Sequence, residues 1–515
     1  MSGFMLKIKK ELEFQDFYQV LFENKSVEIE EEILQRVDKS FEFLQDFSKD
    51  KIIYGVNTGF GPMAQYRIPD EDCENLQYNL IRSHAAGAGK PLSAENVRAL
   101  MLARMNTLAL GKSGIHREVI ETMQQLLNKN VVPLIFEHGG VGASGDLVQL
   151  AHLALVLIGE GEVFYDGTRQ ETCTVFKNLG INPISIHIRE GLALLNGTSA
   201  MTGIGLVNLI YAKRLMEWSV FCSSAINEIV EAYDDHFSEE LNSAKKHRGQ
   251  QKIARMMREH LADSHLTRKR HEHLYEEKAK KTDQFSEKVQ EYYSLRCVPQ
   301  VLGPVYDTIE QALRIHLEEV NSANDNPIID AAKEQVFHGG NFHGDYISLE
   351  NDKLRLVVAK MSMLAERQLN YLLNPNLNNI LPAFVNLSRL GLNFGMQGAQ
   401  FAAVSTTAEN QMLSNSMYVH SIPNNNDNQD IVSMGANSAL LTRKVIDNAF
   451  EVLSVEIATI VQALYYLKVN EKLSSPSLRK FEILKKLLPA LKEDQPIYKE
   501  LQAITEYLKK HDAYS

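Results

Sequence analysis

The sequence predicts a mainly helical protein, with long buried helices in its later part and a smaller mixed region before them that carries a glycine loop. Three observations carry this. From Met201 to about Tyr233 apolar residues lie almost all round the helical period, as in a helix enclosed by a bundle. Comparable stretches recur at about Val301–Val320, Ser348–Leu373, Gly395–Leu413 and Ala436–Leu467; in the second of these Leu354, Val357, Val358, Met361, Leu364 and Gln368 step at three and four. Third, glycines crowd residues 139–145 just before the apolar run Leu147–Ile158. The expected domains are 1–200, with the glycine loop, and 201–515, the long helices and a polar helical tail. Helices of such length suggest a bundle that also assembles between subunits.

The chain has 515 residues, of which 44% are hydrophobic and 23% charged, an ordinary globular composition. A net charge of −11 argues against nucleic acid or an acidic membrane surface as partner, since both are bound chiefly through excess Lys and Arg. Cys73, Cys173, Cys222 and Cys297 fall in no metal-ligand spacing, and reduced thiols are expected. Met1 to Glu13 mixes Lys and Glu with apolar residues and shows no signal-peptide core. Ala436–Leu467 contains Arg443, Lys444, Asp447, Glu451 and Glu456 and reads as a buried helix, not a membrane span. The expected location is the cytoplasm.

Taken in order, residues 1 to about 50 read as short helices with acidic faces, Val27–Phe47 being the clearest. Ile52-Ile53-Tyr54-Gly55-Val56-Asn57-Thr58-Gly59-Phe60-Gly61 is an apolar entry into a glycine-punctuated loop. Helices are expected at Leu76–Ala86, ending in Arg82-Ser83-His84, at Ala94–Leu110 and at Glu118–Leu127. Then comes Gly139-Gly140-Val141-Gly142-Ala143-Ser144-Gly145-Asp146-Leu147. As bare residues this is a tight turn before a helix that begins near Asp146. Glycine also permits close backbone approach. If the Gly145 nitrogen is pressed against the Ala143 carbonyl carbon, a five-membered ring closes with loss of water. Loss of the Ser144 hydroxyl as a second water then leaves a conjugated methylene, the electrophile methylidene-imidazolone.

Beyond the loop, Glu160–Gly167 has hairpin character and Glu190–Thr198 leads through Asn196-Gly197 into the first long helix. Residues 243–283 are basic and His-rich, and read as a solvated, partly mobile arm. The arm ends in Gln290-Glu291-Tyr292-Tyr293-Ser294-Leu295-Arg296; arginine offers two parallel N–H donors suited to a carboxylate. Asn321-Ser322-Ala323-Asn324-Asp325-Asn326-Pro327, Gly339-Gly340-Asn341-Phe342-His343-Gly344 and the asparagine-rich stretch Ser421–Met434 are loops on polar and glycine grounds.

From about residue 50 to 465 these strings, in this order, resemble the aromatic amino acid ammonia-lyase family, which includes histidine, phenylalanine and tyrosine ammonia-lyases. The resemblance implies the long-helix bundle of the fumarase/aspartase-like lyases. It implies a methylidene-imidazolone formed from Ala143, Ser144 and Gly145, with no metal and no diffusible cofactor. It makes Tyr54 the catalytic base, and a phenol serves as one at neutral pH only when cationic groups or helix N-termini assist. Asn196 would hold the ring and the substrate amine, and Arg296 the α-carboxylate, with Tyr293 and Gln290 beside it. Gly61, Leu147, Asn326, Phe342, Asn425 and Asn428 would line the pocket. Ser83, His84 and Gln429 would face the substrate side chain, and the loop 421–434 would close the site from a neighbouring subunit of a homotetramer.

The selectivity residues are mixed. Histidine ammonia-lyases typically join Ser-His with a glutamate at the position of Gln429, whereas phenylalanine and tyrosine lyases have glutamine. The strings around Ser83-His84 and Gln429 are similar to a bacterial group of tyrosine ammonia-lyases. The expected reaction is L-tyrosine to trans-4-coumarate and ammonia. The alternatives are histidine to urocanate, a tyrosine 2,3-aminomutase, and an inactive scaffold on the same fold. The intact set Tyr54, Ser144, Asn196 and Arg296 speaks against the last.

Overall fold

The computed structural model describes residues 6–8, 11–275, 283, 285 and 288–514. The long helices form where the periodicity put them: Ser199–Ile229, Val298–Val320, Asp345–Leu373, Gln397–Leu413 and Gly435–Leu467. The last is long and apolar enough to cross a membrane by composition, yet 78% of its apolar window is buried inside the protein. It is a core helix, as expected.

Two compact units are present, and they do not follow a single cut at residue 200. One comprises Met1–Ile210, Ala312–Asp352 and Ser416–Thr442; the other Tyr211–Gln311, Lys353–Asn415 and Arg443–Ser515.

The first unit is built around the helix Ala94–Ala109, in which every residue from Asn96 onward is buried. Ser93 starts it as an N-cap, accepting from the Asn96 N–H at 3.3 Å. Arg117–Asn128 packs through Val119, Ile120, Met123, Leu126 and Leu127, the three-and-four stripe of an amphipathic helix. Short strands edge this unit. The hairpin Glu162–Tyr165 and Thr168–Glu171 turns at Gly167, whose φ of +74° favours glycine. The expected helix Val27–Phe47 is divided: Val27–Ile29 is a strand parallel to Leu6–Ile8, and the helix proper is Glu31–Phe47. The alternation Val27-Glu28-Ile29, buried at both ends, is a strand pattern that the longer helical stripe concealed.

In the second unit Trp218, Phe221, Phe450 and Phe481 are fully buried, and the Trp218 indole N–H donates to the His511 carbonyl at 2.8 Å. The basic arm is more ordered than its composition suggests. Arg248–Leu261 is a helix that buries Ile253, Ala254, Met256, Met257, His260 and Leu261, while its charges share the other face. Charge run alone hid this stripe. Residues 276–282 of the arm lie outside the described residues.

Replacing Trp218 by Ala should lower the unfolding free energy by about 3–5 kcal/mol in urea titrations, because the indole volume is left as a cavity. A change below about 1 kcal/mol would mean the site collapses around the deletion.

Candidate active site

The cofactor-forming loop sits in the first unit at a point of unusual crowding. The Asp146 N–H donates to the Gly197 carbonyl at 2.8 Å, and Gly145 and Gly197 pair as a one-residue parallel bridge. A Cβ on Gly145, at φ +76°, would fall on the Gly197 carbonyl; one on Gly142 would fall on the Ser433 hydroxyl. Only glycine fits at either place. Within the turn, the Gly142 N–H donates to the Gly145 carbonyl at 3.2 Å. Ala143 and Gly145 are buried, whereas Ser144 is half-buried and faces a cavity of about 760 Å³.

Side chains hold Ser144 from two sides. The Asn196 Nδ2–H donates to the Ser144 carbonyl at 2.9 Å, and the Gln429 Nε2–H donates to the Ser144 hydroxyl at 2.8 Å. Asn196 is itself fixed by Arg104, a buried guanidinium that donates to the Asn196 carbonyl at 2.7 Å, to the Ala193 carbonyl and to Asn324 Oδ1 at 3.2 Å. Burial pulls the Arg104 guanidinium down to about 10, against the attraction of Asp325 and Asp146. Asp146 does not cap the helix Leu147–Leu157 that it precedes. Its carboxylate accepts the Met201 N–H at 2.8 Å, at the start of Ser199–Ile229. Burial pushes that carboxyl up to about 7, opposed by the backbone N–H groups of Met201 and Ala200. A short turn, free of side chains at its crowded contacts and held by two amides, suits the closure of 143–145 into a ring.

The loop 421–434 was expected from a neighbouring subunit, but it lines the cavity of its own chain. The Met434 N–H donates to the Val141 carbonyl at 2.9 Å and the Ser433 hydroxyl to the Gly142 carbonyl at 3.1 Å. Its asparagines have a backbone reason: Asn425, Asn426 and Asp427 take φ of 56°, 51° and 58° in succession, a conformation Asn and Asp tolerate best among residues with a Cβ. Gly61 admits this loop, since a Cβ there would come within 2.7 Å of Asn425 Nδ2.

Around the cavity stand Tyr54, Gly61, Ser83, His84, Ser144, Leu147, Asn196, Asn326, Phe342, Asn425, Asn428 and Gln429, all expected from the sequence. The Gly61 N–H donates to the Tyr54 phenol oxygen at 3.1 Å, which ties that side chain to its own loop. Asn326 Oδ1 accepts the Gly339 N–H at 2.8 Å, joining the two loops that carry Asn326 and Phe342. Gln290, Tyr293 and Arg296 are not among the lining residues; they belong to the second unit, where the Arg296 guanidinium lies over the Tyr293 ring at 4.7 Å.

Sequence reasoning missed Phe60, Met63, Ala64, Leu76, Asn79, Leu80, Leu192, His338 and Gly339, which also line the cavity. A signal existed for some. Leu76, Asn79, Leu80 and Ser83 share one face of the helix Cys73–His84 at three-and-four spacing, and Leu192 lies one turn before Asn196.

The aromatic amino acid lyase family matches residues 12–486. A tyrosine 2,3-aminomutase from Myxococcus sp. (strain Mx-B0) is 40% identical over 489 residues, covering 94% of this chain and 93% of that protein. The histidine ammonia-lyase of Bacillus subtilis (strain 168) is 38% identical over 499 residues, covering 96% and 94%. In three dimensions the tyrosine aminomutase from Streptomyces globisporus superposes with a TM-score of 0.94 at 34% identity, covering 98% of this chain and 97% of that one. The chain therefore belongs to the aromatic amino acid lyase family, whose lyases and aminomutases work through a methylidene-imidazolone formed autocatalytically from their own chain, without a metal.

Proposed function

We propose that this chain is a cytoplasmic, homotetrameric tyrosine ammonia-lyase that converts L-tyrosine to trans-4-coumarate and ammonia. The observation that carries the reading is that His84 and the uncharged Gln429 line the same cavity. His84 Nδ1 lies 3.0 Å from both the Leu80 carbonyl and the Ser83 hydroxyl, contacts that orient the ring. An imidazole among apolar residues such as Leu80 and Leu192 can hydrogen-bond a phenol O–H. Phenylalanine would leave His84 without that partner and should bind less well. A glutamate in place of Gln429 would suit the cationic, donor-bearing imidazole of a histidine substrate; the uncharged Gln429 removes that advantage.

The reaction is difficult because the β-proton is barely acidic and the amine leaves poorly. When formed, the methylidene-imidazolone supplies an electrophilic carbon. In this reading Tyr54 takes the β-proton, Asn196 holds the substrate amine, and Arg296, with Tyr293 and Gln290, grips the carboxylate. Rigid placement of these groups supplies much of the rate. The sites are proposed to be shared between subunits, a reading supported by helices long enough to assemble between chains.

A second reading has its own support. The relatives at 40% identity are tyrosine 2,3-aminomutases, which use the same amino acid but return the amine to the β-carbon. Histidine ammonia-lyase, at 38%, is the remaining alternative.

Purified protein incubated separately with tyrosine, histidine and phenylalanine should show a kcat/KM for coumarate at least about ten-fold above those for urocanate and cinnamate, with little β-tyrosine. Urocanate in excess would assign histidine, and β-tyrosine as the main product would assign the aminomutase. For the assembly, Ser144→Ala and Arg296→Ala chains, each inactive alone, should recover activity when co-expressed. Mixed assemblies as inactive as their parents would mean that each chain completes its own site.

A further inference from the structure

We infer that Gln429 has a second task, as the catalytic donor in making the electrophile: its amide assists departure of the Ser144 hydroxyl when residues 143–145 mature into the ring. The inference rests on the cofactor chemistry of the family and not on tyrosine being the substrate.

Maturation removes two waters. In the first step the Gly145 nitrogen bonds to the Ala143 carbonyl carbon, that carbon becomes doubly bonded to the Ser144 nitrogen, and the carbonyl oxygen leaves as water with the Gly145 and Ser144 amide protons. In the second the Ser144 Cα–H gives up its proton, the freed electron pair becomes the Cα=Cβ bond, and the Cβ–Oγ bond breaks. The released hydroxide and the Cα proton together make the second water. Both halves of this elimination are hard: a Cα proton is weakly acidic, and hydroxide is a poor leaving group.

The two amides around Ser144 answer these two difficulties. Negative charge left by the Cα proton spreads onto the Ser144 carbonyl oxygen, and the Asn196 Nδ2–H donates to that oxygen at 2.9 Å. Charge leaving with the hydroxyl collects on Oγ, where the Gln429 Nε2–H donates at 2.8 Å. A donor already aimed at the atom where charge develops stabilises the transition state more than the starting serine. Neither amide is free to wander. Asn196 is 3% exposed and held through its carbonyl by Arg104. Gln429 is 8% exposed, and its backbone pairs with Asn424 in both directions, at 3.2 and 3.3 Å. Gln429 is therefore constrained both as a selectivity residue and as a maturation residue, and a substitution there changes two properties at once.

The test follows maturation in the full-length chain made by cell-free synthesis, with intact mass read at successive times and no substrate present. Wild type should pass to the form lighter by two waters. Gln429→Leu, which has no donor, should reach that form at least about ten-fold more slowly and accumulate a species lighter by one water, closed but still carrying the hydroxyl. A generally disturbed fold would not produce that stalled species. Gln429→Glu donates only while its carboxyl is protonated, so its maturation should quicken as pH falls, a dependence that Gln429→Leu should lack. Loss of two waters at the wild-type rate in both variants, with no one-water species, would overturn the inference. A change in substrate preference in fully matured Gln429→Glu would still bear on the tyrosine reading separately.

Discussion

Gly145 lies against the carbonyl of Gly197 with no room for a side chain, and the site is arranged around that contact. It brings the end of the cofactor loop onto the turn between Glu190–Leu195 and Ser199–Ile229, so that Asn196 reaches the Ser144 carbonyl. Arg104 donates to the Asn196 carbonyl in the same turn, and the Asp146 carboxylate accepts the Met201 N–H at the start of Ser199–Ile229. A buried guanidinium and a buried carboxyl are costly groups to desolvate. Here each binds backbone atoms next to the reacting tripeptide, so both serve its geometry.

The cavity is a meeting of loops on a rigid helical frame. The asparagine-rich loop and the segment after Phe342 both hydrogen-bond to the glycine loop, through Met434, Ser433 and Gly344, and the Tyr54 loop packs against Asn425. Glycines at the contact points let them approach: Gly61 against Asn425, and Gly142 against Ser433. Chemistry thus sits on loops, while the buried helix Ala94–Ala109 and the first turns of Ser199–Ile229 keep those loops in register.

Much of this was legible in the sequence, for reasons that differ from element to element. The long helices announce themselves because burial on nearly all sides leaves an apolar pattern that few alternatives share. Ala143-Ser144-Gly145 was legible through the resemblance of its glycine-rich setting to a known family, since as bare residues it is a tight turn before a helix. The three-residue strand Val27–Ile29 was not, because it adjoins a helix whose stripe continues its apolar pattern. Arg248–Leu261 was obscured by its own charge. The origin of the loop 421–434 could not be read locally, since which chain a loop faces depends on partners distant in sequence. The same limit explains why Arg104 and His338 went unnoticed: their roles come from tertiary placement, and neither carries a local motif.

The central claim is that the chain converts Ala143, Ser144 and Gly145 into its own carbon electrophile. Peptide mapping of the purified wild-type enzyme by mass spectrometry tests it most directly. In active protein the peptide spanning these residues should be lighter by two waters than its sequence mass. An unmodified serine at 144 in a fully active preparation would contradict the account.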